Sequence, residues 1–184
     1  MRKTIMFVII SALAIFALLG TSAAFADFMI KGGVDLGGTL DIEGYDYDVN
    51  TGFTAAVEFT KSVAKIVDLG AGGEFQFPRS PEDSSGEFYF IPLYAVGRVK
   101  IPIPLHPYAT GKIGYNFFLG NEDYKGTDGK LTGGLHYGFG AGIVVFKFLV
   151  VEGSYSIYSG VHEWGGSDFD TTYKAFGLKA GVKF

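Results

Sequence analysis

The closing segment of the chain, Tyr173 to Phe184, alternates without a break. Phe176, Leu178, Ala180, Val182 and Phe184 fall on one face. Ala175, Gly177, Lys179, Gly181 and Lys183 fall on the other, as a side-chain period of two requires. The same pattern predicts seven strands upstream. The first runs from about Phe28 to Leu40, with Phe28, Ile30, Val34, Leu36 and Leu40 on the apolar face and Lys31, Asp35 and Thr39 opposite. The second sets Phe53, Ala55, Val57 and Phe59 against Thr54, Ala56, Glu58 and Thr60. In the third, Val67, Leu69, Ala71, Phe75 and Phe77 oppose Asp68, Gly70, Gly72, Glu74 and Gln76. The fourth turns Tyr89, Ile91, Leu93, Ala95 and Val99 outward and Arg98 and Lys100 inward; Phe88-Tyr89-Phe90 is aromatic on both faces and leaves its upper register open. The fifth has Ala109, Ile113, Tyr115 and Phe117 outward, with Thr110, Lys112, Gly114 and Asn116 inward. The sixth alternates Leu135, Tyr137, Phe139, Ala141 and Ile143 with His136, Gly138, Gly140 and Gly142. The seventh alternates Val151, Tyr155 and Ile157 with Glu152, Ser154 and Ser156.

The connections also alternate. Long polar loops are predicted over Asp41 to Thr51, Pro78 to Glu87, Gly120 to Gly133 and Ser159 to Thr171. Short turns are predicted near Lys61 to Lys65, at the proline-rich Ile101 to Pro107, through which a strand cannot continue, and at Phe146 to Phe148. At the N-terminus, Arg2 and Lys3 precede the apolar Met6 to Gly20 and an A-x-A-like site at Ala24-Phe25-Ala26. This is the pattern of a cleaved signal peptide over residues 1–26, leaving one domain over residues 27–184. Beyond the signal no apolar run is long enough to cross a bilayer as a helix. Strands can cross only in a closed barrel, since open edges would leave backbone groups unpaired in lipid. The predicted fold is all-β, an eight-stranded antiparallel up-and-down transmembrane β-barrel. A soluble lipocalin-type barrel with its apolar face inside shares the periodicity. Loop asymmetry, aromatic strand ends and the terminal Phe184 favour the membrane form.

Composition narrows the function classes. The chain has no cysteine, so disulfides, a lipoprotein anchor and thiolate metal sites are excluded. Its net charge is −4, and loss of Arg2 and Lys3 with the signal takes it to −6. No basic tract is present, which argues against a nucleic-acid partner. The predicted loops hold thirteen Asp or Glu against Arg79, Lys125 and Lys130. Such loops could bind divalent cations or bridge through them to lipopolysaccharide phosphates; solvated loops that resist aggregation are the simpler reading.

Ile91-Pro92-Leu93-Tyr94 and Pro107-Tyr108-Ala109-Thr110-Gly111-Lys112-Ile113-Gly114-Tyr115 resemble the fourth and fifth strands of the small eight-stranded outer-membrane proteins, the OmpA-like, OmpX-like and opacity-type barrels of the porin family. Val182-Lys183-Phe184 resembles that superfamily's C-terminal signal, with Phe184 as the residue the barrel-assembly machinery would read. A fainter likeness to OmpW-type channels lies in the fourth and fifth strands. The resemblance implies a monomer in the outer membrane of a Gram-negative cell, in contact with lipid and lipopolysaccharide. It implies little about activity, because this architecture hosts many.

Candidate chemistry is concentrated on the inward face. Glu58, Glu74 and Glu152 share it with Arg98, Lys112 and Lys179. Unpaired buried charge is costly, and an eight-stranded lumen is just wide enough for side chains to fill it. A closed ionic plug is therefore expected, with a narrow channel for small solutes as the alternative. The inward glycines could leave room for water or let Lys and Arg cross the lumen. Asp46-x-Asp48-x-Asn50 has the alternating oxygens of a calcium loop, but Gly52 and Val57 stand where an EF-hand needs other residues. A lipid-acting enzyme would need a histidine beside a carboxylate and a nucleophile, and His162 with Glu163 is the first pair to suspect. No residue is assigned a catalytic, cofactor or metal role. A structural or surface-interaction protein acting through acidic loops is the reading the sequence favours.

Overall fold

The computed structural model describes residues 26–82, 84–126 and 128–184. The expected signal peptide lies, apart from Ala26, outside the described residues. Among the described residues nine strands form: β1 (Ala26–Ile42), β2 (Tyr45–Val49), β3 (Gly52–Ala64), β4 (Val67–Gln76), β5 (Phe88–Lys100), β6 (Tyr108–Gly120), β7 (Lys130–Val145), β8 (Leu149–Trp164) and β9 (Ser167–Lys183). A one-turn helix, α1 (Glu122–Lys125), sits between β6 and β7. All pairings are antiparallel between neighbours, and β1 pairs with β9 to close a ring of eight. The ninth strand, β2, lies on the same edge of β1 as β3, one level nearer the loops: Gly38 pairs with Val49, whereas Asp35 pairs with Gly52. Closure leaves the ring without an open edge, the condition for crossing lipid with strands.

The alternation is inside-out relative to a soluble barrel. Ile113 is 61% exposed on the outer wall, while Glu58 is 0% exposed in the lumen. Ile30, Val57, Leu69, Leu93, Phe139, Val151 and Leu178 are likewise exposed, and Lys31, Arg98, Lys112 and Glu152 are buried. No helix among the described residues is long and apolar enough to cross a membrane. The polar-in, apolar-out arrangement excludes the lipocalin-type alternative, whose interior would be the apolar face.

Two sequence expectations need correction. Leu40, placed on the outer face, is fully buried in the lumen. The β1–β9 ladder shifts register between Asp35 and Gly38, where Gly37 takes φ +73°. This bulge adds a residue, and every side chain beyond it changes face. Second, two of the expected loops are largely strand. The first is a hairpin arm, β1–β2, turned by Glu43 (φ 52°) and Gly44 (φ 84°). The last is the β8–β9 hairpin, paired out to Trp164–Ser167 and turned by Gly165 (φ 60°) and Gly166 (φ 81°). Paired positive-φ residues give the primed turns whose twist suits a hairpin. The ambiguous Phe88-Tyr89-Phe90 resolves with both phenylalanines fully buried.

The outer wall gives a direct test. Leu178 is exposed on β9, and Gly177 beside it faces Asp35 in the lumen. Leu178→Arg should destabilise the refolded barrel by about 2–4 kcal/mol if it lies near the bilayer midplane. Gly177→Ala needs only the Asp35 carboxylate to shift and should cost less. Urea titrations in liposomes read both; equal tolerance of the two would show the faces reversed.

Candidate functional site

The strongest cluster of chemistry is in the lumen, where the pleat points one residue in two. Lys31 on β1 donates to Glu152 on β8 at 2.9 Å and reaches Glu58 on β3 at 2.9 Å. Lys112 on β6 lies 3.1 Å from Glu152 and 3.3 Å from Glu58. Arg98 on β5 pairs with Glu58 through Nη2 and donates from Nη1 to Thr60 at 3.1 Å. The phenols of Tyr94 and Tyr108 donate to Glu58 and Glu152, each at 2.9 Å. Lys112 also stands over the Tyr94 ring, and Arg98 over the Tyr108 ring. Five strands on different sides of the barrel are thus tied through two carboxylates. Burying these ions is tolerable only because each carboxylate meets several donors.

The six charged residues expected in one cluster divide into two groups. Glu58, Arg98, Lys112 and Glu152 meet as described. Glu74 and Lys179 form a separate pair at 2.5 Å, with Tyr158 donating to Glu74 at 3.4 Å. Lys179 is the ladder partner of Glu152 yet turns to the β4 carboxylate instead. Lys31 completes the first group; its place on the inward face was legible, its role there was not. The inward glycines accommodate rings as well as ions. A Cβ at Gly142 would meet the Tyr108 phenol at 2.5 Å, and one at Gly72 would meet the Tyr94 ring at 2.9 Å.

Toward the loops the lumen is closed again. Arg79, expected as a loop charge, turns inward and is buried. Its Nη1 donates to Asp35 at 2.6 Å and to the Tyr173 hydroxyl at 3.0 Å, and its Nη2 donates to the Phe53 carbonyl at 3.2 Å. The segment that carries it bridges β2 and β5 through Val49–Pro81 and Arg79–Phe88. Against it, starting from Tyr173, lies a pile of rings. Phe90 stacks on Phe118 at 4.6 Å and on Tyr158 at 5.3 Å, and Tyr158 stacks on His136 at 4.7 Å. Phe88 meets Tyr173 edge-on at 5.5 Å. Leu40 and Val49 complete this apolar cap.

The remaining candidates are placed as follows. His136 is buried, and its Nδ1 donates to the Ile157 carbonyl at 3.2 Å. His162 donates from Nε2 to the Lys125 carbonyl at 3.1 Å and stacks on Tyr124. Burial pushes the Tyr124 phenol up from its ordinary range. Glu163 turns instead to Lys130 at 3.5 Å, because successive strand residues face opposite ways. The two suspects of the enzyme reading therefore have different partners. Asp46 and Asp48 lie exposed on β2. Two-residue spacing on an extended strand sets their Cα atoms about 7 Å apart, so the segment does not curl around an ion. No group of three metal-ligating His, Asp or Glu side chains forms among the described residues. Phe184 projects outward at the turn end, stacked on Phe28 at 5.8 Å.

Removal of one carboxylate should expose the dependence of the network on balance. Glu58→Gln leaves Lys31, Arg98 and Lys112 facing Glu152 alone. It should destabilise the barrel by about 3–5 kcal/mol, because it strands buried charge. The outward control Val57→Ala should cost far less in the same unfolding measurement; similar losses would mean that the ion pairs hold nothing.

In fold, the chain is similar to Ail, the attachment invasion locus protein of Yersinia pestis, with 16% identity and a TM-score of 0.54 over 87% of this chain and 99% of that one. Neisserial surface protein A matches with 13% identity and a TM-score of 0.55, over 85% of this chain and 97% of that one. Outer membrane protein OprG from Pseudomonas aeruginosa matches with 13% identity and a TM-score of 0.50, over 87% and 96%. No family model and no curated protein matches the sequence. These likenesses establish the fold. The chain thus has the fold of these small eight-stranded outer-membrane β-barrels, with an apolar outer wall of the kind that fold turns to lipid.

Proposed function

We propose that this barrel is a non-conducting protein of the outer membrane with a structural or surface-interaction role, exercised through its loop end. The observation that carries this reading is the double closure of the lumen. The ion network fills its middle, and the Arg79 tether and ring pile fill its loop end. A solute path would have to open both, one held by charge and the other by stacked apolar surface.

The loop end, which on this reading faces outside the cell, is accessible. Exposed Asp46, Asp48, Glu82, Glu122, Asp123 and Asp168 give it a negative surface. Tyr45, Tyr47 and Trp164 stand exposed among them. Such a surface suits contact with lipopolysaccharide phosphates through divalent cations, and with other surfaces through the aromatic tips. That the similar proteins include an attachment invasion locus protein and a surface protein accords with this role. At the other end, outward-facing Phe184 is where the assembly machinery would read the strand.

The test is single-channel recording of the refolded mature barrel in a planar bilayer. Silence is expected from barrels whose insertion is verified by heat-modifiable migration. Discrete openings that disappear when Arg98 or Lys112 is replaced would overturn the reading in favour of a narrow channel.

A further inference from the structure

We propose that the turn-end mouth of the barrel is a binding site for a phosphate-bearing ligand. A cavity of about 370 Å³ opens there between the β3–β4, β5–β6 and β7–β8 connections. Its inner end is Arg98 and Tyr108, the lower edge of the ion network. Met29, Ile66, Ile101, Pro102 and Val144 supply apolar wall. Lys65, Lys100, Lys147 and Lys183 surround the opening, His106 lines it as well, and Asp68 is the carboxylate among the lining residues.

Three observations point to an anion. The first is charge balance in the lumen. Lys31, Arg98 and Lys112 face Glu58 and Glu152, so with every group ionised the buried network carries one net positive charge. The neighbouring pairs Lys179–Glu74, Arg79–Asp35 and Lys100–Asp68 are each balanced and cannot relieve it. Uncompensated buried charge is costly, and the cavity is the side from which a counter-charge can approach Arg98. The second is Arg98 itself. It is 2% exposed, both terminal nitrogens are engaged, and its Nε has no hydrogen-bond partner. The third lies at the rim. Lys100 and Lys183 are occupied by Asp68 at 2.6 Å and Asp27 at 2.7 Å. Lys65 and Lys147 are exposed and have no acidic partner among the described residues.

A guanidinium at the base and two separated ammonium groups at the rim call for several acceptor oxygens spread around one centre. Phosphate offers this; a carboxylate presents two oxygens in one plane. The apolar wall accepts whatever short uncharged group the phosphate carries. Exposed Ile103, Leu105, Phe146 and Phe148 on the flanking turns set the opening at the bilayer edge, within reach of a lipid headgroup or a free phosphate compound. This site is at the opposite end from the surface proposed above and stands independently of it.

The test uses the mature barrel in maltoside micelles at constant ionic strength. Inorganic phosphate, dihexanoyl phosphatidate and uncharged dihexanoylglycerol are titrated separately while amide shifts of Ile66, Lys147 and Val144 and the Arg98 Nε–H signal are followed. Saturable shifts confined to the turn end are expected with a phosphate-bearing probe and not with dihexanoylglycerol. Saturation by both phosphate probes would assign recognition to the phosphate itself; saturation by phosphatidate alone would assign it to a lipid headgroup. The exposed double variant Lys65→Gln/Lys147→Gln should weaken binding by about tenfold or more while leaving the fold intact. Absence of saturable shifts with either phosphate probe, or unchanged affinity in the double variant, would overturn the proposal.

Discussion

Two buried carboxylates, Glu58 and Glu152, hold the interior of this barrel together. Lys31, Arg98 and Lys112 reach them from three other strands, and Tyr94 and Tyr108 complete their hydrogen bonding. In lipid the outer wall gains nothing by packing on itself, because acyl chains are as apolar as its own side chains. Backbone ladders and the lumen must therefore make the closed ring rigid. An interior this narrow has to be filled, and long charged side chains meeting at shared carboxylates fill it while tying opposite walls together. The glycines opposite Tyr94 and Tyr108 follow from the same constraint, since a Cβ at Gly72 or Gly142 would displace the rings that satisfy the carboxylates.

The alternation was legible because a barrel wall has one environment on each side, so a period of two survives along nearly every strand. It failed at Leu40, where the Gly37 bulge inserts a residue that no alternation rule anticipates. The loops were harder. Polar, glycine-containing segments read as irregular, yet Glu43-Gly44 and Gly165-Gly166 turn two of them as tight hairpins that extend the wall. Arg79 was hidden because its segment is rich in proline, serine and acid. Asp35 was the available signal: an inward carboxylate whose cation had to come from elsewhere. Lys31 was on the correct face from the start. Which carboxylate each cation chooses follows from the stagger around the ring, as Lys179 shows by passing over its ladder partner Glu152 for Glu74.

A filled lumen moves function to the two ends, and the ends differ in chemistry. The loop end is acidic and aromatic, built on hairpin arms and on a segment pinned by Arg79. The turn end is basic around an apolar cavity whose floor is the unbalanced edge of the ion network. The interior thus sets the character of both surfaces: it seals one from the lumen and leaves the other with positive charge to satisfy.

The most direct measurement of closure uses the absence of native cysteine. Ser156 is buried between the ring pile and the network, and Ser167 is exposed beside the β8–β9 turn. Each is replaced by cysteine in turn, and the reaction of the folded barrel in liposomes with a small charged thiol reagent is timed. A sealed lumen predicts that Ser167→Cys is labelled rapidly and that Ser156→Cys is labelled only on unfolding. Comparable labelling of both in the folded barrel would contradict the account.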